Sequence, residues 1–395
     1  MGAAKKPVNI FKLNRGDDPK EVLNWRLWFA VFSFGIMGAA RGIDEGLISG
    51  TFNTKHFQSI LHLDELDDVT YANVKGNVSA MVQIGSVAGA LLAFLVADRI
   101  GRLWATRQLC IVWILGIIIF LTNNGRLGQV YAGRFIAVYI AEVAPKAVRG
   151  LCTCVFAGAV YIGIMLAYFT TWGSSRHLEQ YTANAWVIPT TLHIMFAGII
   201  LILSFFNFES PRYLIKRGDV QHAITNLARL EEEQEATMGQ GVLGILREMF
   251  CMPNNAYRLY LGLGVQLLSQ WSGAGSITIY AADFFALLGT KGQNEKLFAT
   301  AIFGVVKFVA AIMCALFLVD VIGRKRALTI GISLQALAMA YIASFLTAVP
   351  NLEEPDFVFT STQKHASIGA IVMIYVSGFG WAIQEYRSRD VILVE

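Results

Sequence analysis

The sequence predicts an all-α polytopic membrane protein, and three observations carry that prediction: its composition, its recurring apolar runs and the placement of its positive charges. Of 395 residues, 55% are apolar and 15% charged, against roughly 45–50% and about 25% in an ordinary soluble domain. Apolar runs of about 20 residues, the length that crosses the hydrocarbon of a bilayer, recur near 26–50, 75–97, 104–122, 151–171, 187–207, 259–288, 297–319, 327–349 and 367–383. The stretch 259–288 is longer than one crossing requires. One further crossing is needed between Asn123 and the basic loop Lys146–Arg149, and only 127–144 is available, carrying Arg134 and Glu142. At 1.5 Å per residue it barely reaches across.

The first 25 residues are polar and basic with no apolar stretch before a cleavage site, so no removable signal peptide is expected and the first span serves as its own insertion signal. Alternating the loops from a cytosolic N-terminus places 22 of the 32 Lys and Arg inside, eight outside and two, Arg41 and Lys307, within spans. That asymmetry fits the positive-inside rule. A net charge of +4 distributed in this way argues against a nucleic-acid partner and for a lipid bilayer. None of the five cysteines falls in an outside loop, so no disulfide is expected, and Cys152-x-Cys154 lacks the second ligand pair of a zinc site.

A repeat organises the chain. Span 75–97 ends in Asp98-Arg-Ile-Gly-Arg102 and span 297–319 in Asp320-Val-Ile-Gly-Arg324-Lys-Arg, each followed by another span. The same basic, glycine-containing turn at equivalent places on one side implies two homologous halves, a transporter architecture. The expected organisation is a cytosolic N-terminal segment at 1–25, an N-terminal transmembrane half at 26–208 with a shortened fourth helix, a cytosolic linker at 209–256, a C-terminal transmembrane half at 257–383 and an atypical tail at 384–395. In the linker, Pro211 stops the preceding helix, and Ala223, Leu227, Leu230, then Val242, Leu246 and Met249, recur at the spacing of short amphipathic helices.

Seven elements in order resemble the sugar-porter branch of the major facilitator superfamily, most closely its fungal quinate-permease-like members. They are Gly42-Ile-Asp44-Glu-Gly46, Asp98-Arg-Ile-Gly-Arg102, Gly133-Arg134-Phe, Glu142-Val-Ala-Pro-Lys-Ala-Val-Arg149-Gly150, Glu209-Ser-Pro-Arg212, Gln270-Trp-Ser-Gly273 with Tyr280-Ala, and Asp320-Val-Ile-Gly-Arg324-Lys325. The resemblance runs to Trp381 and implies a major facilitator-type fold of two six-helix halves. Against that pattern the chain is incomplete, with about 9–10 of 12 helices. The glycine-rich middle of the fourth helix is missing between Phe135 and Val138, residues are missing between Leu230 and Glu231, and the last two helices are absent.

The resemblance also assigns roles. Asp44 pairs with Arg134 in proton-coupled relatives, protonation breaking the pair. A desolvated carboxylate has its pKa raised, whereas Arg41, on the same helical face as Asp44 and Glu45, opposes that; a purely structural ion cluster is the competing reading. Gln266 and Gln270 share a face and offer the amides that polyol recognition needs, or simple interhelical hydrogen bonds. Gly273-Ala-Gly275 weakens their helix, so the part beyond it can bend and gate. Tyr280, in the matching Tyr280-Ala element, is a further substrate-binding candidate, and Trp381 matches a tryptophan that lines the cavity in relatives, with anchoring at the membrane interface as the competing reading. Lys307 lies near mid-depth, where a charge faces a cavity or a partner. It either pairs with a carboxylate or attracts an anionic, hydroxylated substrate such as quinate. Asp98, Arg102, Glu142, Arg149, Glu209, Arg212, Asp320 and Arg324 form the implied cytosolic gate, opposite charges at helix ends that release cheaply.

No Ser-His-Asp set, metal cluster or phosphate-binding loop is apparent, and the six histidines, His177, His193 and His222 among them, have no ligand spacing. The expectation is therefore not an enzyme but a proton-coupled secondary carrier of quinate or a related polyhydroxy acid or sugar, monomeric and multi-pass in the plasma membrane. It has no cofactor beyond the coupling proton. The alternatives are a neutral hexose or pentose carrier, and a non-transporting sensor or defective truncated paralogue.

Overall fold

The computed structural model describes residues 25–137, 149–207, 273–290, 292–314, 324–349 and 359–394, with isolated positions at 260, 264, 268, 271 and 352. Every regular element among the described residues is helical: α1 (Trp25–Phe52), α2 (Lys55–Ile60), a 3-10 turn (Leu63–Glu65), α3 (Asp68–Ile100), α4 (Arg102–Leu121), α5 (Leu127–Ala137), α6 (Arg149–His177), α7 (Asn184–Phe206), α8 (Ala274–Ile279), α9 (Ala281–Leu287), α10 (Gln293–Met313), α11 (Arg324–Ala348) and α12 (Ser361–Val394). Six of the described helices are long and apolar enough to cross a membrane, in α4, α6, α7, α10, α11 and α12. The 28 residues of α1 make it about 42 Å long, sufficient to cross despite Arg41, Asp44 and Glu45.

α4 shows why these helices belong in lipid. Leu109, Cys110, Trp113, Ile117 and Phe120 are buried, while Ile111, Leu115 and Ile118 on the other face are exposed. A helix apolar all round needs an apolar solvent. Backbone approach packs the bundle. A Cβ on Gly42 of α1 would stand 1.9 Å from the Val160 carbonyl oxygen, and one on Gly163 of α6 would stand 2.0 Å from that of Ala39. α1 and α6 therefore cross with no side chain between them, the small-residue packing that lipid-embedded helices use. α6 also joins the second half: Tyr161, Ile164 and Tyr168 share one buried cluster with Phe285 of α9, Phe303 of α10, Phe345 of α11 and Ile374 of α12.

Local breaks follow the sequence. Gly101, between α3 and α4, has φ +103°, a conformation that favours glycine and lets the Asp98–Arg102 turn be tight. The long stretch 259–288 is interrupted rather than straight beyond Gly273, whose φ is +76°, and it kinks again at Tyr280 between α8 and α9. Pro189 inside α7 removes the amide that would bond the Ala185 carbonyl, and the Ser174 hydroxyl of α6 donates to that carbonyl at 2.7 Å instead. The apolar pattern ends near 383, yet α12 runs on as one helix to Val394. Of the shortened fourth crossing, the described part is the 11 residues of α5; 138–148 lie outside the described residues, as does the whole of the 209–256 linker region.

Candidate functional site

Asp44 is on α1, eight residues before Phe52 and so about 12 Å below the helix end, and it is 7% exposed. The Arg134 guanidinium of α5 donates from Nη1 to Asp44 Oδ1 at 2.9 Å. Nε2 of His193, on α7, lies 3.2 Å from the same oxygen, and its Nδ1 lies 3.1 Å from the Thr190 carbonyl oxygen. Asp44, Arg134 and His193 thus form one buried ion cluster. The resemblance supplied the first two; sequence reading left His193 as one of several scattered histidines. The expected grouping of Arg41 with Asp44 divides in the structure: Arg41 meets Glu45 at 3.5 Å on the exposed side, while Asp44 turns inward.

Toward the Phe52 end the cluster is roofed by aromatic rings. Phe57 contacts Phe52 and Trp186 with centroids 5.3 Å apart in both pairs, and Phe120 meets Trp186 at 6.0 Å. Beneath that roof a small cavity is lined by Thr51, Phe52, Phe120, Arg134, Thr190 and His193, with Leu47, Ile48 and Val78 completing its wall. It has room for about one water.

A second polar cluster bridges the halves at the Phe52 end. Lys75 of α3 is 1% exposed and pairs with Asp283 of α9, its ammonium 4.9 Å from the Tyr280 ring centre. Asn53, just past α1, donates to Asp283 Oδ1 at 3.3 Å and accepts from Lys296 of α10 at 2.7 Å; its carbonyl accepts from Gln293 at 2.6 Å. The Ala282 amide donates to Ser49 Oγ at 3.3 Å, and Ser175 meets Asn294 at 3.1 Å. Lys75 and Lys296 are two of the eight cations that the sequence places outside, and no further role is expected of them from the sequence. The missed signal was the lone carboxylate Asp283 within the long apolar stretch 259–288.

Lys307 of α10 is 1% exposed, and its ammonium donates to Thr278 Oγ1 of α8 at 2.5 Å. It also lies 5.1 Å from the Phe303 ring centre and 5.9 Å from that of Tyr161. Beside it, Tyr168 of α6 donates to the Thr278 carbonyl at 2.7 Å. Trp381 is half-buried against the shared core cluster. Gln266 and Gln270 lie outside the described residues, as do Glu142, Glu209, Arg212 and Asp320 of the expected gate. Asp98, Arg102, Arg149 and Arg324 have their backbone, though not their side chains, among the described atoms: Asp98 and Arg102 flank the α3–α4 turn, and Arg149 and Arg324 open α6 and α11, all at the Trp25 end of the bundle. Among the described residues no group of His, Cys, Asp and Glu has the arrangement of a metal site.

A bundle of membrane-length helices with one ion pair buried in the N-terminal half and another joining the halves is the architecture of a polytopic membrane protein. Residues 30–384 match the family described as sugar (and other) transporter, and the chain belongs to that family. It is 29% identical to a probable quinate permease of Aspergillus niger, over 91% of this chain and 72% of the relative, and 28% identical to a probable quinate permease of Aspergillus terreus, over 86% and 68%. Among solved structures it is similar to the xylose transporter XylE from E. coli in a partially occluded inward-open conformation. The TM-score is 0.70 at 18% identity, over 94% of this chain and 85% of the other. The chain is accordingly a transporter and not an enzyme, with a major facilitator-type fold embedded in a lipid bilayer.

Proposed function

We propose that the chain is a monomeric secondary active carrier that takes up quinate or a related polyhydroxy acid together with a proton. Its N-terminus is cytosolic and it resides in the plasma membrane. The observation that carries the reading is the Asp44–Arg134 pair, a charge pair buried in the N-terminal half at 2.9 Å. An intramembrane carboxylate held by an arginine is suited to exchange a proton for a change of partner. Protonation of Asp44 releases Arg134 and loosens α1 against α5; the proton is the coupling ion and no other cofactor is needed.

The anionic character of the substrate rests on Lys307. The buried Lys307 ammonium, on the Thr278 hydroxyl and beside the Phe303 and Tyr161 rings, provides positive potential that can attract a substrate carboxylate. Gln266, Gln270, Tyr280 and Trp381 are assigned to the hydroxyls and ring face of the substrate. The 22 inside cations support the orientation. Asp98, Arg102, Glu142, Arg149, Glu209, Arg212, Asp320 and Arg324 are assigned to a gate at the Trp25 face, which in this orientation is the cytosolic one. The organisation into an N-terminal half at 26–208, a linker at 209–256 and a shorter C-terminal half at 257–383 belongs to the same reading.

The test is labelled-quinate uptake into proteoliposomes of the purified chain under an imposed inward proton gradient. The expected result is accumulation that requires the gradient, disappears in Asp44→Asn and loses quinate affinity in Lys307→Asn. Uptake indifferent to pH removes the proton. Transport of xylose or glucose without quinate moves the substrate to the neutral sugars, and absence of flux for every solute leaves a non-transporting paralogue.

A further inference from the structure

Both nitrogens of His193 face oxygen. Nδ1 is 3.1 Å from the carbonyl oxygen of Thr190, and Nε2 is 3.2 Å from Oδ1 of Asp44. A carbonyl only accepts, so the first contact requires a hydrogen on Nδ1. A neutral imidazole then has a bare Nε2, and a bare nitrogen against a carboxylate oxygen sets two lone pairs together in a site where His193 is 1% exposed. The second contact must therefore hold a hydrogen of its own. An imidazolium donating to a carboxylate and a neutral imidazole accepting from a carboxylic acid are two descriptions of that one hydrogen.

We propose that His193 and Asp44 jointly bind a single exchangeable proton between Nε2 and Oδ1, so that His193 is a proton-binding member of the site; in the structure the proton is shared and Arg134 still holds Asp44, and full transfer of the proton to Asp44 is the step that releases Arg134. The shared proton stands on these two contacts; its use in transport rests on the proton-coupled reading given above.

The surroundings suit this role. Arg134 bonds Asp44 through Nη1, while its Nε and Nη2 are buried without a hydrogen-bond partner beside the cavity that His193 also lines. Arg134, Thr51 and Thr190 line that cavity together with His193, so the imidazole borders a space of about one water. The groups presented by every element packed against α7 are few. α1 supplies Asp44, with Arg41 and Glu45 paired to each other on its outer face. α4 supplies the Trp113 ring edge-on to His193 at 5.9 Å, Cys110 in the adjoining apolar cluster and, farther along, Arg107 on Ser204. α6 supplies Ala167 and the Ser174 hydroxyl, and α2 supplies His56, held by the Trp186 indole at 3.1 Å. Of these, Asp44 alone has a carboxylate on His193. When the proton leaves, Nε2 and Oδ1 repel, Asp44 keeps only Arg134, and the hydrogen bond that joins α1 to α7 is lost as a direct result.

The test uses the full chain in lipid nanodiscs with nitrogen-15-labelled histidine, His193 being assigned by its loss in His193→Gln. The expected spectrum at neutral pH has hydrogen on Nδ1 and a shared or full hydrogen on Nε2, and Asp44→Asn shifts the pH at which that second hydrogen is lost. A neutral ring with bare Nε2 at neutral pH, or a titration indifferent to Asp44→Asn, overturns the proposal. In proteoliposomes His193→Gln is expected to move the half-maximal pH of uptake by about one unit or more, a tenfold change in proton concentration; an unmoved profile overturns the transport role. A shared proton in the spectrum of a chain whose uptake ignores pH leaves the proposal standing and removes the proton-coupled reading instead.

Discussion

The two polar clusters of the bundle are built from the same materials and set differently. The Asp44–Arg134–His193 cluster lies within one half, with side-chain exposures of 11%, 4% and 1%. The Lys75–Asp283–Asn53–Lys296 cluster joins the halves, and its carboxylate is 32% exposed on the side chain while Lys75 is 2%. An ion pair closed off from water holds its partners strongly and is destabilising to split, because the survivor is left charged and dry. A pair with one wet member opens at lower cost. The first arrangement suits a group that changes charge while its helices stay together, and the second suits a contact that forms and parts as the halves rock.

Four substitutions sharpen or break that distinction. The largest effect is expected from Arg134→Ala, which leaves Asp44 buried without its guanidinium; a loss of about 3–5 kcal/mol would appear as a markedly lower thermal midpoint in detergent. Adding Asp44→Asn to it should recover part of the loss, since the two act as one unit. Asp283→Asn comes next. It orphans the Lys75 ammonium, and about 1–3 kcal/mol is expected, expressed mainly as opening at the Phe52 face. Spin labels at Ser175 and Asn294, which touch across the halves, should move apart, and the swap Lys75→Asp with Asp283→Lys should bring them back. Asn53→Ala removes neutral and charge-assisted bonds but leaves the ion pair, so about 1 kcal/mol and a smaller widening are expected. Glu45→Ala breaks the exposed Arg41 pair and should change the thermal midpoint by less than about 0.5 kcal/mol equivalent. If Glu45→Ala rivalled Arg134→Ala, burial would not be what separates the clusters.

The spans were legible because lipid imposes one rule on every residue: a run of about 20 apolar side chains needs no knowledge of its neighbours. The turn at Gly101 and the break at Gly273 were legible for a similar reason, since the backbone requirement is local. The α12 extension to Val394 was not, because Gln384–Asp390 ends the apolar run without removing helical propensity. Partner choice was the hardest to read. Asp44 and Arg134 are 90 residues apart, Asp44 and His193 149, and Lys75 and Asp283 208. The first pair came only from the family resemblance. His193 carried one usable clue that was passed over: an ionisable ring in the middle of a span is by default functional. Lys75 was masked by its place at a span's edge, where a lysine ordinarily reaches for the interface.

The glycine contact between α1 and α6 has a mechanical consequence. With Gly42 and Gly163 each seated against the opposing backbone, the two helices mesh like gear teeth with no play between them. Asp44, two residues past one tooth, cannot retreat from Arg134 by sliding along the membrane normal, because a slip of even one residue would drive a Cβ into a carbonyl. A change of charge at Asp44 therefore has two outlets, rotation of its own side chain or displacement of α5 and α7. On the proton-coupled reading, the meshed pair would serve as the fixed bearing about which those movements turn.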